Sequence, residues 1–275
     1  MTKIVMDSCC EYNEEMLVGM NYASVPFKIT IDGVEYVDDE NLEITFFKEK
    51  MRATKDVIRT ACPSPQEYLD KFEGEEVYVI TITGELSGSY QSAMIAKEMY
   101  MRENKNAKVH VFNTMSAVAG ETAVLLFLRD KIKAGKDFDT IVEETEDFIR
   151  RSTTVINFSN LTNLVKNGRI PKIAGKLSKA LKIKLIAIAR GGRIVPVSIE
   201  RGIKRSVNAM VNKATELCDK TLKSAIVISE FDAKEMAEEV KGKLRAIFPE
   251  RIIEVTTMKA LSLVYAEEGG LVIHL

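Results

Sequence analysis

The segment from Val77 to Ala93 constrains the fold more than any other part of this 275-residue sequence. It begins with a run rich in β-branched residues, from Val77 to Ile82, which is typical of a buried strand. A hydroxyl-rich turn follows, and the next residues favour a helix that runs through Met99. This order predicts a buried strand that leads directly into a helix, as in α/β proteins.

The turn Ser87-Gly88-Ser89 is a candidate anion site. The first backbone N–H groups of a helix have no partner within the helix and lie at the positive end of its dipole, so they favour a carboxylate or a phosphate. The hydroxyls of Ser87 and Ser89 add two side-chain donors. The alternative is purely structural, because a serine at a helix start commonly caps one of these free N–H groups.

From residue 77 onward, candidate strands and helices alternate, which predicts an α/β architecture with mainly parallel strands. A hairpin interrupts this pattern, because Gly191-Gly192 lies between two apolar runs. We place a domain boundary near residue 158, with an N-terminal α/β domain over 1–158 and a C-terminal α/β domain over 159–275. Other predicted elements include a strand over Val25–Ile29, a helix over Lys172–Lys182 and a helix over Ile199–Cys218.

The composition excludes several classes of partner. Because 39 basic residues stand against 40 acidic residues, no overall positive field attracts nucleic acid, and we expect no nucleic-acid partner. The lysine-rich stretch from Lys172 to Lys184 has the spacing of the solvated face of an amphipathic helix. No apolar run reaches the roughly 20 residues of a membrane span, so we expect no stable membrane insertion.

The cysteines and histidines limit the chemistry further. Four cysteines without Cys-x-x-Cys spacing favour reduced thiols. Since the N-terminus leads straight into a strand pattern, we expect a cytoplasmic protein without a signal peptide. Only two histidines are present, His110 and His274, each in an apolar run. We therefore expect no metal site. With only these two histidines, the sequence also gives little support for a Ser-His catalytic triad.

Two segments that precede the predicted strand Val77–Ile82 offer further candidate ligand-binding residues. Asp7-Ser8 follows the first predicted strand, at the edge where open α/β sheets bind ligands, although both residue types are also common in turns. Thr60 and Cys62 precede Ser64-Pro65, a helix start in which Ser64 is the predicted N-cap. Thr60 and Cys62 are therefore free to face a cleft.

Arg169 follows Gly168, a residue type that commonly ends helices, and either clamps an anion or complements the helix dipole. The sequence contains no phosphate loop, no Gly-x-Gly-x-x-Gly fingerprint and no Gly-x-Ser-x-Gly elbow. We therefore predict a binding protein without a cofactor rather than an enzyme. The alternatives are a small-molecule hydrolase or transferase that uses Ser87 or Cys62, and a binding protein for a different small carboxylate.

In their order along the chain, these segments resemble the DegV family, bacterial fatty-acid-binding proteins also described as the FakB subunits of fatty acid kinase. The specific match is Leu-Ser-Gly-Ser-Tyr-Gln-Ser-Ala at 86–93. The other matches gain weight from their order and are Asp7-Ser8, Val25-Pro26-Phe27-Lys28, Thr60-Ala61-Cys62-Pro63-Ser64, Leu164–Ile170, Arg190–Ile194 and Arg201.

The resemblance implies two α/β domains with a long-chain fatty acid held between them. It places the contacts to the fatty acid carboxylate at Thr60 and Ser87, with Arg169 lining the site. It also implies a partner, an ATP-dependent fatty acid kinase that phosphorylates the carboxylate, and a role in phospholipid metabolism. The remaining candidate ligand-binding residues are Ser8, Cys62, Gly88 and Ser89.

The sequence departs from the family pattern near its C-terminus. The family's His-x-Gly-Pro-Gly segment, whose histidine also reaches the carboxylate, appears here as Ala266-Glu267-Glu268-Gly269-Gly270. If either glutamate faced the ligand, it would disfavour a fatty acid anion. In addition, Thr-Ser-Gln has become Thr60-Ala61-Cys62, and Ser229-Glu230 replaces a His-Gly pair. These differences leave open a different acyl ligand or a weakened transfer to the kinase.

Overall fold

A computed structural model describes residues 2–170 and 183–275. The predicted helix Lys172–Lys182, and with it most of the lysine-rich stretch, lies outside these described residues. The strands are Thr2–Asp7 (β1), Tyr22–Val25 (β2), Lys28–Ile31 (β3), Val34–Val37 (β4), Arg59–Ala61 (β5), Glu76–Thr81 (β6), Lys108–Asn113 (β7), Thr154–Phe158 (β8), Ile183–Arg190 (β9), Arg193–Arg201 (β10), Ile226–Glu230 (β11), Ile253–Thr257 (β12) and Leu271–His274 (β13).

The α-helices of the described residues are Ile44–Ala53 (α1), Pro65–Leu69 (α2), Ser89–Glu103 (α3), Ala119–Lys133 (α4), Phe138–Arg151 (α5), Thr162–Lys166 (α6), Ile203–Leu217 (α7), Lys234–Ile247 (α8) and Ala260–Ala266 (α9). A short 3-10 helix covers Glu14–Leu17. Within this part of the chain, none of the helices has the length and apolar character needed to cross a bilayer. The predicted start of α2 is confirmed, because the hydroxyl of Ser64 caps the helix and Pro65 is its first residue.

The first half of the chain contains a parallel sheet, for which the described residues give the strand order β2-β1-β6-β7. β1 lies at its centre, with Met6 paired to Ser24 on one side and to Ile80 on the other. Tyr78 and Val79 of β6 lie on opposite faces of the strand, and neither has exposed surface, as expected for a parallel strand that is covered on both faces. The strand-turn-helix unit predicted from Val77 is confirmed, since β6 leads into α3.

The second half contains a larger sheet, whose strand order over the described residues is β10-β9-β8-β13-β11-β12. The β11–β12 pair is parallel, whereas the other four neighbouring pairs are antiparallel. The prediction of mainly parallel strands is therefore wrong for this sheet. Besides β8–β9 and the hairpin β9–β10, the antiparallel pairs are those of β13, which enters between β8 and β11 and runs antiparallel to both. Alternation of strands and helices along the chain does not encode such a long-range insertion.

The hairpin predicted at Gly191-Gly192 is confirmed, because β9 and β10 pair antiparallel on either side of it. The two glycines have φ values of 56° and 74°, the left-handed conformation that a two-residue hairpin turn of this kind requires. The helix predicted over Ile199–Cys218 begins too early, because β10 continues to Arg201. Gly202, with φ 82°, then turns the chain into α7.

A small antiparallel sheet, β4-β3-β5, carries one of the candidate site residues. The single strand predicted over Val25–Ile29 is wrong, because the chain breaks between β2 and β3 at Pro26, which has no N–H for a strand ladder. The N–H of Phe27 donates to Ser8 Oγ instead (3.0 Å). The sequence did not predict β5, which pairs with β3 and holds Thr60 in place.

Helix α4 joins the two main sheets, because it packs against β6 of the first and against β11 and β13 of the second. One hydrophobic cluster accordingly includes Ile80 and Phe112 from the first sheet and Ile156 and Val272 from the second. The strand β8, just before the predicted domain boundary near residue 158, pairs with β9 and β13 of the second half. The boundary itself stays a prediction.

Candidate functional site

A cavity of about 820 Å³, including its open mouth, lies between the two main sheets. The walls are mostly apolar and come from both halves of the chain, with Phe27, Ile82 and Leu86 from the first half and Phe158 and Val272 from the second. This lining suits an apolar ligand.

Ser87 lines this cavity from the turn between β6 and α3. Its N–H donates to Thr83 O (3.3 Å), and its Oγ accepts the N–H of Ser89 (3.2 Å). The structural alternative is therefore realised in part, because Ser87 satisfies a free N–H at the start of α3. That bond uses a lone pair and leaves the hydroxyl proton available, so Ser87 can still donate to a ligand.

Thr60 reaches the same cavity from β5 and meets Tyr265 of α9 there. The hydroxyl oxygens of the two residues are 2.6 Å apart, although the residues are 205 positions apart in the sequence. Both side chains are half-buried. Tyr265 was not among the candidates from the sequence, and the one signal that points to it is its position directly before the altered segment at Ala266.

Arg169 also lines the cavity, after a helix end at Gly168, whose φ is 72°. Its Nε donates to Leu86 O (3.1 Å), which places the guanidinium beside the turn that carries Ser87. Its hydrogen bonds to described residues go to the backbone carbonyls of Leu86 and Asn167. Within the described residues no carboxylate neutralises this cation, and it therefore favours an anionic ligand.

Ser8 and Ser89 are buried and do not line the cavity. Ser89 Oγ donates to Asp7 Oδ2 (2.6 Å), which also accepts the N–H of Ile82 (3.0 Å). Ser8 Oγ accepts the N–H of Phe27. These bonds stabilise the loops behind the cavity, so the structure supports the turn alternative for Asp7-Ser8.

Gly88 and Cys62 lie against one another close to Ser87. A Cβ added to Gly88 would be 3.1 Å from Cys62 Sγ, a close contact that a shift of the thiol by a few tenths of an ångström would relieve. Neither residue lines the cavity. Of the candidate residues from the sequence, the cavity brings together Thr60, Ser87 and Arg169 and leaves out Ser8, Cys62, Gly88 and Ser89.

Neither histidine is placed to activate Ser87 or Cys62 as a nucleophile. The imidazole of His110 pairs with a glutamate of α5 (2.9 Å), and His274 Nδ1 is 2.9 Å from Thr154 Oγ1. Burial lowers the pKa of His274 to about 3, so this imidazole is neutral at physiological pH. The geometry therefore gives no support for the hydrolase or transferase alternative, which requires a base beside the nucleophile.

Asp7, Cys9 and Glu121 form a buried cluster whose potential metal-ligand atoms lie within 4.8 Å of one another. Burial, reinforced by the nearby charge of Asp7, raises the pKa of Glu121 well above its ordinary value. Burial also raises the pKa of the Cys9 thiol well above its ordinary value. Because metal ligands must be deprotonated, these two groups are poorly suited to hold a cation. The cluster does not argue for a metal centre.

The acidic residues of the altered C-terminal segment are bonded outside the cavity. Glu267 accepts the N–H of Asn163 at the start of α6 (3.0 Å), and Glu268 pairs with Arg52 (3.1 Å). Ala266 lines the cavity, whereas neither glutamate does. The condition under which a glutamate of this segment would disfavour an anionic ligand, that it faces the ligand, is therefore not met in this cavity.

Two carboxyl groups from the first half of the chain dock α9 against the cavity. Asp38 accepts the N–H groups of Ala260 and Leu261 (3.1 and 3.2 Å), and Glu11 accepts the N–H of Lys259 (2.8 Å). These are the N–H groups that a helix start leaves without a partner. The position of the cavity wall formed by α9 thus depends on buried acids that lie more than 200 residues earlier in the sequence.

We expect the Glu11→Gln variant to lose less stability than the wild type as the pH rises from 5.5 to 7. Burial raises the pKa of Glu11 to about 8, so the native state keeps a proton that the unfolded state has already released. The native state binds more protons, and stability therefore falls with rising pH, by about 2 kcal/mol over this interval. Glutamine keeps the acceptor for Lys259 and does not titrate.

Urea unfolding at pH 5.5 and pH 7 measures this difference directly. The exposed Glu15, changed to glutamine, is the control and is expected to retain the pH dependence of the wild type. An equal pH dependence in Glu11→Gln and the wild type would contradict the protonated state of Glu11.

Proteins of known sequence are similar to this chain over almost its whole length. A model of the DegV family, described as a family of uncharacterised proteins, matches residues 1–274. A DegV domain-containing protein from Streptococcus pneumoniae is 33% identical over 274 residues, which cover 98% of this chain and 96% of the relative. A DegV domain-containing protein from Streptococcus gordonii has the same identity and coverage.

Solved structures are similar over the whole length. The Streptococcus pneumoniae Fatty Acid Kinase (Fak) B3 protein loaded with linoleic acid has a TM-score of 0.93 and 31% identity, covering 99% of this chain and 98% of that one. A DegV family protein from Eubacterium eligens loaded with heptadecanoic acid has a TM-score of 0.94 and 27% identity, with 100% and 99% coverage. One from Ruminococcus gnavus, refined with vaccenic acid, has a TM-score of 0.91 and 30% identity, with 100% and 99% coverage. The resemblance found in the sequence is thus confirmed, and the protein belongs to the DegV family.

Proposed function

We propose that this protein binds a long-chain fatty acid in the cavity between its sheets and presents the carboxylate to an ATP-dependent fatty acid kinase. The observation that carries the proposal is the cavity itself, in which apolar walls from both halves enclose a few polar groups, among them Thr60, Ser87 and Arg169. The fatty acids bound by the similar proteins from Streptococcus pneumoniae, Eubacterium eligens and Ruminococcus gnavus support this class of ligand.

The energetics assign different roles to the two ends of the ligand. Burial of the roughly fifteen tail carbons of a 16-carbon acid contributes on the order of 12 kcal/mol before the costs of association. Each charge-assisted hydrogen bond to the carboxylate adds about 1.5–3 kcal/mol. The tail therefore supplies most of the affinity, while Ser87 and Thr60 determine where the carboxylate lies.

The chemistry of phosphoryl transfer would belong to the partner, because the sequence has neither a phosphate loop nor another nucleotide fingerprint. The turn beside Ser87 is accessible, since Glu85 and Gly88 are exposed. A kinase can thus reach the carboxylate while the tail stays buried. Because the partner kinase uses ATP, we place the phosphorylation of the fatty acid in the cytoplasm. The acyl phosphate would there enter phospholipid metabolism.

The first experiment is to denature the purified protein, extract it with organic solvent and identify fatty acids by mass spectrometry. We expect a near-stoichiometric fatty acid of roughly 14–18 carbons, because burial of a long apolar tail supplies most of the affinity. An empty extract, followed by failure of the lipid-free protein to take up added palmitic acid, would overturn the proposed function. Uptake of a short carboxylate alone would identify a different small-molecule ligand.

A further inference from the structure

We infer that Tyr265 is a third donor to the ligand carboxylate and contributes to selection of a free acid over its esters. This inference rests on the proposed function and adds a residue that neither the motifs nor the family resemblance assigned. Tyr265 lines the cavity, and its hydroxyl oxygen lies 2.6 Å from Thr60 Oγ1.

The hydroxyl pair has one proton more than its own hydrogen bond uses. Thr60 and Tyr265 each carry one O–H, and the bond between them uses only one of these two protons. When a carboxylate oxygen arrives beside the pair, both hydroxyls can turn and donate to it, because neither proton then needs the other residue as acceptor. A pair of donors held this close is already arranged for an anion before the ligand binds.

The surrounding contacts hold the phenol in place. The backbone of the same helix is fixed at Val264, whose carbonyl accepts a bond from Asn163 Nδ2 (2.9 Å). Asp38 caps the start of the helix. The next acidic residue, Glu267, is bonded to the N–H of Asn163 and does not compete for the phenol proton. Tyr265 therefore presents its hydroxyl to the cavity from a fixed backbone.

The chemistry of the pair predicts selectivity. A carboxylate offers acceptor lone pairs that carry negative charge, and a hydrogen bond to such an acceptor is stronger than one to a neutral ester oxygen. Removal of the phenol hydroxyl should thus weaken binding of the acid much more than binding of the ester. A residue that only filled space would affect both ligands equally.

The test measures the affinity of the full-length, lipid-free chain for palmitic acid and for methyl palmitate. We expect Tyr265→Phe to weaken binding of the acid roughly 10-fold or more and to change binding of the ester less than about twofold. Tyr100→Phe is the matched control, because it removes a hydroxyl that donates to Gly74 O (2.9 Å) and does not line the cavity. It should leave both affinities unchanged.

A second variant separates direct contact from support of Thr60. If Tyr265 donates to the ligand itself, Tyr265→Phe also weakens acid binding when it is introduced into a Thr60→Val protein. Loss of the effect in that background, or an equal loss for acid and ester, overturns the inference while the proposed function stands. Failure of the wild type to bind either ligand overturns the proposed function and the inference with it.

Discussion

A protein in which Ser87 and Thr60 are both replaced by alanine is expected to bind a long-chain fatty acid about 100-fold to 1,000-fold more weakly than the wild type. Both hydroxyls line the cavity and have a proton for the carboxylate. Because the two bonds share one acceptor group, their contributions do not simply add. Binding is weakened rather than abolished, since the apolar walls that hold the tail are unchanged.

Titration of palmitic acid into the lipid-free protein measures this effect, and phosphorylation of the bound acid with the partner kinase gives a second readout. The control is a Thr30→Ala, Ser92→Ala double variant, which removes hydroxyls of the same kinds from β3 and α3. Both control residues are half-buried and lie outside the cavity. Unchanged binding and turnover in the Ser87, Thr60 variant would refute the assignment of these residues.

Replacement of Gly120 by alanine is expected to lower the free energy of unfolding by about 1–3 kcal/mol. Gly120 lies in the first turn of α4, and a Cβ there would be 2.0 Å from Ser116 Oγ and 2.4 Å from Ser116 Cβ. Rotation of the serine side chain relieves the first contact but not the second, so the backbone has to move. Ser116 O also accepts the N–H of Thr83, in the loop before Ser87, and the displacement therefore reaches the site.

Gly242→Ala is the matched control for this substitution. Gly242 lies within α8, is exposed, and a Cβ added there would meet nothing within 4 Å. Because alanine favours a helix more than glycine does, this variant should be more stable than the wild type by about 0.5–1 kcal/mol. Urea unfolding of both proteins measures the two effects. Changes of the same sign would contradict the close contact between α4 and Ser116.

Local signals account for the elements that were predicted correctly. The strand-turn-helix unit at Val77–Ala93 and the hairpin at Gly191-Gly192 depend on apolar runs and turn residues that are adjacent in the sequence. The errors have a different origin. At the break at Pro26, the N–H of Phe27 bonds to the distant Ser8 rather than to a strand, and β5 is too short to carry a strand pattern of its own.

The residues of the candidate site also differ in whether a local sequence pattern points to them. The signal for Ser87 is local, because a strand, a hydroxyl-rich turn and a helix follow one another within a few residues. Tyr265 belongs to no motif, and the one sequence signal that points to it is its position directly before the altered segment at Ala266. Its role follows from its contact with Thr60, and that contact depends on the capping of α9 by Asp38 and Glu11 of the first half.

The sequence by itself determined the α/β class, the hairpin, the turn at Ser87 and the family to which the chain belongs. These properties depend on residue types at short spacing, and a linear pattern records them. Only the tertiary structure decided the antiparallel insertion of β13, the enclosure of the cavity by both halves, and the pairing of Thr60 with Tyr265. The physical reason is that burial and hydrogen bonding act between residues that are close in space, whatever their separation along the chain.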